Sequence, residues 1–176
     1  MSAAGADQAQ VSVRVGLGAG LDAVVSTGLT VLDFLIGELA RCARLELALE
    51  VAPGAVDPAV AGAGRRLGEQ LAPLLRQPGA AGHGFAWLPS DEALAGAVIE
   101  VSDRPVIASN VDFSGVGGLA SDVVAVFLDE LVRGAGLNVH IRVLEGKDSQ
   151  NVLRAIFKAL GAALGQACRT PEGGKP

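Results

Sequence analysis

Two stretches of this 176-residue chain are versions of one another. Leu39-Ala-Arg-Cys-Ala-Arg-Leu-Glu-Leu47 matches Leu131-Val-Arg-Gly-Ala-Gly-Leu-Asn-Val139, and Glu38 precedes the first as Glu130 precedes the second. Each stretch crosses the end of a helical apolar stripe and the start of a strand-like alternation. A chain that repeats such a junction repeats a folding unit, so the search for elements can proceed one half at a time.

In the first half, Val11-Ser-Val-Arg-Val15 alternates as a half-buried strand does, and Ala23-Val-Val25 starts a second strand. The glycines between them predict a β-hairpin. Gly16, Gly18 and Gly20 also spell GxGxG, but a phosphate loop needs a helix directly behind it and here a strand follows. Val31, Leu32, Leu35, Ile36 and Leu39 form the stripe of an amphipathic helix over 31–43. Leu45 to Val51 alternates as a strand. Leu67, Leu71, Leu74 and Leu75 place a helix over about 59–76. Gln77 to Gly84 reads as a flexible connection.

The second half repeats the plan. Ala93–Val101 and Pro105–Val111 are expected as strands joined by a tight turn at Ser102-Asp103. A helix follows from about Leu119 to Arg133, with Leu119, Val123, Phe127 and Leu131 on one side. Leu137–Leu144 is a strand and Ser149–Cys168 a helix edged by Val152, Ile156, Leu160 and Leu164. Neither half can bury both its sheet and its helices alone, so one α+β domain is expected over 11–168. Its half-repeats run about 11–77 and 84–168, with tails at 1–10 and 169–176.

Composition removes several chemistries. Only two His (His83 and His140) and two Cys (Cys42 and Cys168) are present, too few for a multi-imidazole site or a zinc quartet in one subunit. A net charge of -5 disfavours nucleic acid, which needs a basic face. No apolar run is long enough for a membrane helix, and the first ten residues lack the basic-then-apolar pattern of a secretory signal. A cytoplasmic protein with neither nucleic acid nor membrane as partner is expected. Cys42 lies on the apolar stripe and reads as a buried inert thiol. Phe85 and Trp87 read as core or interface. The adjacent Asp91 and Glu92 read as turn polarity, since neighbouring strand residues face opposite ways.

Several segments resemble one family in the same order. Ser26-Thr-Gly-Leu-Thr-Val-Leu-Asp-Phe-Leu35 resembles the TGIxFLDHML segment of imidazoleglycerol-phosphate dehydratases. Leu88-Pro-Ser-Asp-Glu-Ala-Leu-Ala95, Ser102-Asp-Arg-Pro105, Val139-His-Ile-Arg-Val-Leu-Glu-Gly146 and Ala155-Ile-Phe-Lys-Ala-Leu160 resemble further segments. The resemblance spans roughly residues 11–168. It implies a duplicated α+β fold, ribosomal S5 domain 2-like, with two four-stranded sheets backed by helices. It also implies a 24-subunit shell, di-manganese sites between subunits, and removal of water from imidazoleglycerol phosphate in histidine biosynthesis.

This chain departs from the family where the metal is held. Phe34 stands in place of the DHM histidine and Val126 in place of its second-half counterpart. The HHxxE cluster reads Gln150, Asn151 and Arg154, and near Pro58–Gly62 only Asp57 could ligate. A family Glu falls at Gln8 and another His at Cys42. His140 corresponds to a strand His that is not a ligand. Arg154 would set a fixed positive charge where a dication sat, an unfavourable arrangement. The resemblance also carries over Arg104, from the SGRP motif, and Lys158 as phosphate contacts.

These departures predict no catalytic residue, no metal and no cofactor. The expected function is an inactive, metal-free relative acting as an oligomeric scaffold or interaction protein. A first alternative is a binder of a small phosphorylated ligand, or an altered enzyme, using Arg104, Lys158 and Arg154. A second is an authentic dehydratase completed by a partner subunit. A homo-oligomer is expected, with an intact homologue or another protein as further partner.

Overall fold

The computed structural model describes residues 10–18, 22–113 and 120–172. Seven strands and four helices follow in the order β1 (Val11–Leu17), β2 (Ala23–Ser26), α1 (Thr30–Ala43), β3 (Leu45–Val51), α2 (Val56–Arg76), β4 (His83–Ser90), β5 (Ala93–Val101), β6 (Val106–Ser109), α3 (Ala120–Ala135), β7 (Leu137–Glu145) and α4 (Ser149–Ala167). Gln8, Gly20 and Leu119, residues 1–9 of the first predicted tail and 173–176 of the second, lie outside the described residues.

The duplication is written into the topology. The sheets are ordered β1-β3-β2 and β4-β5-β7-β6. β3 pairs antiparallel with β1 and parallel with β2, and β7 does the same with β5 and β6. The second sheet has the four strands expected. The first has three among the described residues rather than four.

The predicted β1–β2 hairpin does not form, and β5 and β6 are not neighbours either; in each half the later strand inserts between the earlier two. Burial explains the choice. Leu45, Leu47 and Leu49 of β3, and Leu137, Val139 and Ile141 of β7, are all at most 4% exposed, while β2 and β6 carry short, largely exposed side chains. The most apolar strand takes the central place, and its helix supplies the crossover that a parallel neighbour needs. Among the described residues the one true hairpin joins β4 to β5 through Asp91 and Glu92, with Asp91 at φ 48°.

Strand β4 begins inside the connection read as flexible. That connection is fastened: Gln77 Nε2 donates to the Cys168 carbonyl, Ala81 N–H to that of Arg169, and Gly82 N–H to that of Ala167.

Helices α1 and α2 pack on the first sheet, α3 and α4 on the second, and the layers meet as α1 on α4 and α2 on α3. The helices therefore fill the space between the sheets. Phe127 and Phe157 stack at its centre with ring centroids 6.2 Å apart. The helix pairs approach closely through glycine. A Cβ on Gly161 would lie 2.3 Å from the Leu39 carbonyl oxygen, and one on Gly68 would lie 2.4 Å from that of Leu131. Leu39 and Leu131 are the matched positions of the sequence repeat.

Candidate functional site

The residues that replace the expected ligands lie on the two helix-pair surfaces. On α1, Phe34, Glu38, Arg41 and Cys42 fall on one face by helical spacing. The start of α1 is held by Asp33, whose Oδ1 accepts from the backbone N–H and the hydroxyl of Thr27. On α4, Gln150, Asn151, Arg154 and Lys158 follow an N-cap in which Asp148 Oδ1 accepts from the N–H groups of Gln150 and Asn151.

Packing of α1 on α4 brings Phe34, Glu38 and Arg154 together. Arg154 Nε donates to Glu38 Oε2 at 3.2 Å, and Arg41 Nη2 donates to the same oxygen at 3.0 Å. The Arg154 guanidinium carbon lies 5.4 Å from the centre of the Phe34 ring. Burial pushes the Glu38 carboxyl up, but the hydrogen bonds from Arg41 and Arg154 outweigh it and leave the group below its ordinary value. Glu38 is not among the residues to which the family resemblance points, although its match with Glu130 is a visible signal.

The second helix pair repeats the motif with different parts. Val126 on α3 is 42% exposed, and Glu130, one turn on, accepts from Arg65 Nε of α2 at 2.7 Å. Phe34 and Glu38 thus correspond to Val126 and Glu130, and each glutamate meets an arginine from the facing helix.

The other predicted residues separate. Lys158 Nζ donates to the Pro89 carbonyl at 2.5 Å, at the end of the second sheet where β4 turns into β5. Arg104 lies beyond the far end of β5, where Ser102 Oγ accepts from its N–H and donates to its carbonyl. A strand the length of β5 spans roughly 25 Å, so one chain does not bring Arg104 to Lys158 and Arg154. Asn151 Nδ2 donates to Glu92 Oε2 at 2.7 Å, and Glu92 Oε1 accepts from the N–H groups of Asp148 and Lys147. The backbone N–H of Asp148 is the largest of the contacts that lower the exposed Glu92 carboxyl to about 2. Glu92 is therefore more than turn polarity, since it ties the β4–β5 turn to the start of α4.

Cys42 is half-buried rather than buried, and burial pushes its thiol up; the buried Cys168 thiol is pushed up to about 11. Both imidazoles belong to the second sheet, His83 at the start of β4 and His140 on β7. An open groove of about 570 Å³ runs between the ends of α1 and α4 and the start of β4, past Cys42, His83 and Gln166. The Arg169 guanidinium on its wall donates to the carbonyls of Ala43, Gly165 and Arg44, and so closes the end of α1.

The donor set does not suit manganese. Phe34 and Val126 offer no lone pair, Glu38 is already engaged by two guanidinium groups, and Arg154 carries its own positive charge. Among the described residues, no three His, Cys, Asp or Glu side chains group closely enough to hold a metal ion.

Comparison with known proteins places this geometry in a family. The family model for imidazoleglycerol-phosphate dehydratase matches residues 27–164. The chain is similar to the imidazoleglycerol-phosphate dehydratase of Clostridium botulinum (strain Kyoto / Type A2), 34% identical over 154 residues, covering 84% of this chain and 79% of that protein. It is 32% identical over 171 residues to that of Dechloromonas aromatica, covering 94% and 87%. The crystal structure of imidazoleglycerol-phosphate dehydratase from Staphylococcus aureus superposes with a TM-score of 0.82 at 25% identity, over 92% of this chain and 95% of that one. The Pyrococcus furiosus structure, at 22% identity and a TM-score of 0.81, shares the fold. The chain belongs to the imidazoleglycerol-phosphate dehydratase family.

Proposed function

We propose that this chain is a metal-free, catalytically inactive member of its family that acts as a homo-oligomeric scaffold or interaction protein. The observation that carries the reading is the α1–α4 surface, where Arg154 is paired with Glu38 and laid over Phe34. Dehydration of an imidazole-bearing substrate draws on a dication to polarise the ring. A guanidinium has no empty orbital for that purpose, and its charge repels an incoming dication. Gln150 and Asn151 support the same reading, because a neutral amide is a poorer ligand for a divalent ion than imidazole or carboxylate.

Non-ligating residues on both helix pairs, beside close glycine packing and an intact crossover topology, fit a scaffold. The exposed apolar side chains at Phe85, Trp87, Val98 and Leu144 support association between subunits. A role inside the cell, beside an active imidazoleglycerol-phosphate dehydratase, belongs to the same proposal. Among the described residues no helix is long and apolar enough to cross a membrane.

The test is metal content and particle mass on the pure protein, with a dehydration assay on imidazoleglycerol phosphate in added manganese. The expected result is an assembled particle with far less than one manganese per chain and no turnover. Stoichiometric manganese, or rescue of a histidine auxotroph by this chain alone, would overturn the proposal.

A further inference from the structure

The two halves seal the ends of α1 and α3 in the same way but with different residues. Arg76 Nη1 donates to the Ala135 carbonyl at 2.8 Å, and its Nη2 to that of Gly136 at 3.1 Å, at the end of α3. Arg169 repeats this at the end of α1, with Nη1 donating to Ala43 at 2.8 Å and Nη2 to Arg44 at 2.6 Å. By the sequence repeat, Cys42 stands where the second half has Gly134, and Arg44 where it has Gly136. Neither glycine leaves room for a side chain. A Cβ on Gly134 would lie 2.4 Å from the Arg65 carbonyl oxygen, and one on Gly136 2.5 Å from Arg76 Nη2. At the end of α1 the same two positions carry side chains, and both line the open groove of about 570 Å³.

Arg44 is held there against its backbone preference. Its φ of 54° is left-handed, like the 67° of Gly136, a conformation that glycine adopts freely and other residues only at a cost. The helix end uses only its backbone: the Arg44 N–H donates to the Ala40 and Arg41 carbonyls, and the Arg44 carbonyl accepts from Arg169. Glycine would supply all of these. Among the described residues the exposed Arg44 guanidinium has no hydrogen-bond or ion-pair partner. Strain carried for a side chain that the fold does not use is characteristic of ligand contacts.

We infer that this groove binds a small organic monocarboxylate, its carboxylate on the Arg44 guanidinium and its apolar body along Ala43, Ala162 and Gly165. The lining sets two guanidinium groups, Arg44 and Arg169, against one carboxylate, Glu172. The Nη groups of Arg169 are already committed to backbone carbonyls. One charged fork therefore remains, which matches one carboxylate and leaves a dianionic phosphate short of donors. Gln166 adds a neutral donor, since its Oε1 accepts from the Phe85 N–H and its amide nitrogen is left for the ligand. A groove of this volume, with an apolar floor and few polar groups, has the dimensions of a small-molecule site. The inference does not depend on the scaffold reading. Arg44 lies ten residues past Phe34 and Gln166 twelve past Arg154, roughly 15 and 18 Å along the helices.

The experiment is calorimetric titration of 3-phenylpropionate into wild type, Arg44→Gly and Arg14→Ala, the last an exposed arginine on β1. Acetate, 3-phenylpropanol and inorganic phosphate are the comparison ligands. Thermal unfolding and iodoacetamide labelling of Cys42, which lines the groove while Cys168 is buried, are read alongside. One 3-phenylpropionate per chain is expected, with a Kd of about 0.1–1 mM, tighter than any comparison ligand and protecting Cys42 from labelling. Arg44→Gly should weaken binding about ten-fold or more and remove the protection. It should also raise Tm by about 2–4 °C as the backbone strain is released. Arg14→Ala should bind as wild type does. Binding that Arg44→Gly leaves unchanged, or that acetate, 3-phenylpropanol or phosphate equals, overturns the site. So does an Arg44→Gly Tm below that of wild type, which would make Arg44 a part of the fold, and so does the absence of heat at about 20 mM ligand. If Arg44→Gly fails to fold, labelling of wild type decides. Protection of Cys42 by 3-phenylpropionate and not by 3-phenylpropanol supports the site, and any other pattern overturns it.

Discussion

Replacing Arg154 separates the two things its side chain does. At 3.2 Å and an effective dielectric constant of about 20, its gross attraction to Glu38 is about 5 kcal/mol. Little of that survives as stability. The Arg154 side chain is 40% exposed, and Arg41 still holds Glu38 when Arg154 is gone. The net ion-pair contribution is therefore about 1 kcal/mol. The guanidinium over Phe34 adds about 0.5–1 kcal/mol. Arg154→Met keeps a side chain on the Phe34 ring and loses only the charge, so it should cost about 1 kcal/mol. Arg154→Ala loses both and should cost about 1.5–2 kcal/mol, a fall of about 3–8 °C in Tm for a chain of this size.

Urea and thermal unfolding of both variants, with Glu38→Gln to complete a double-mutant cycle, measure the coupling. The sign with pH follows from the carboxylate. Glu38 is held below its ordinary value of 4.5 in the folded chain, so its contribution is complete above that value and is lost as pH falls through the lowered folded value. The gap between wild type and Arg154→Met should therefore narrow in acid. Variants within about 0.3 kcal/mol of wild type, or a coupling energy near zero, would refute the view that this pair holds α1 to α4.

The glycine contacts predict opposite outcomes for one chemical change. Gly161→Ala and Gly68→Ala should each cost about 3 kcal/mol in urea denaturation, because the new methyl would collide with a helix carbonyl. Gly37→Ala, also within a helix but with nothing within 4 Å of its Cβ position, should stabilise by about 0.5–1 kcal/mol. The Glu92 carboxyl, at about 2, should stay ionised in an NMR titration until well below the usual carboxylate range. Its support of the α4 start should be present above the ordinary value of 4.5 and lost as pH falls through about 2, and Glu92→Gln should abolish that acid transition.

Much of the fold is legible in the residues because helices and strands write different periods. The stripes of α1 and α4 and the alternation of β3 and β7 locate those elements to within a residue or two. β4 escaped because its large apolar residues, Phe85 and Trp87, face outward, while Gly84, Ala86 and Leu88 alternate with them on the other face, toward the helices. Its alternation is present, but the usual sizes are inverted. Strand neighbours are harder to read, because pairing is a contest between strands over burial and no single segment states the result.

The site shows the same division. The departures from the family pattern at Phe34, Val126, Gln150, Asn151 and Arg154 are readable, since the resemblance assigns them by position in the chain. What fills their place is not, because Glu38 and Arg154 stand far apart in sequence and meet only when α1 packs on α4. The sequence by itself determined the duplicated halves, the helices and most strands, all of which follow from local period and side-chain type. Only the tertiary structure decided that β3 and β7 take the central places, that Arg104 stands away from Lys158, and that Phe85 and Trp87 face outward. Those outcomes depend on which surfaces are buried against each other, and burial is a property of the packed chain rather than of any segment within it.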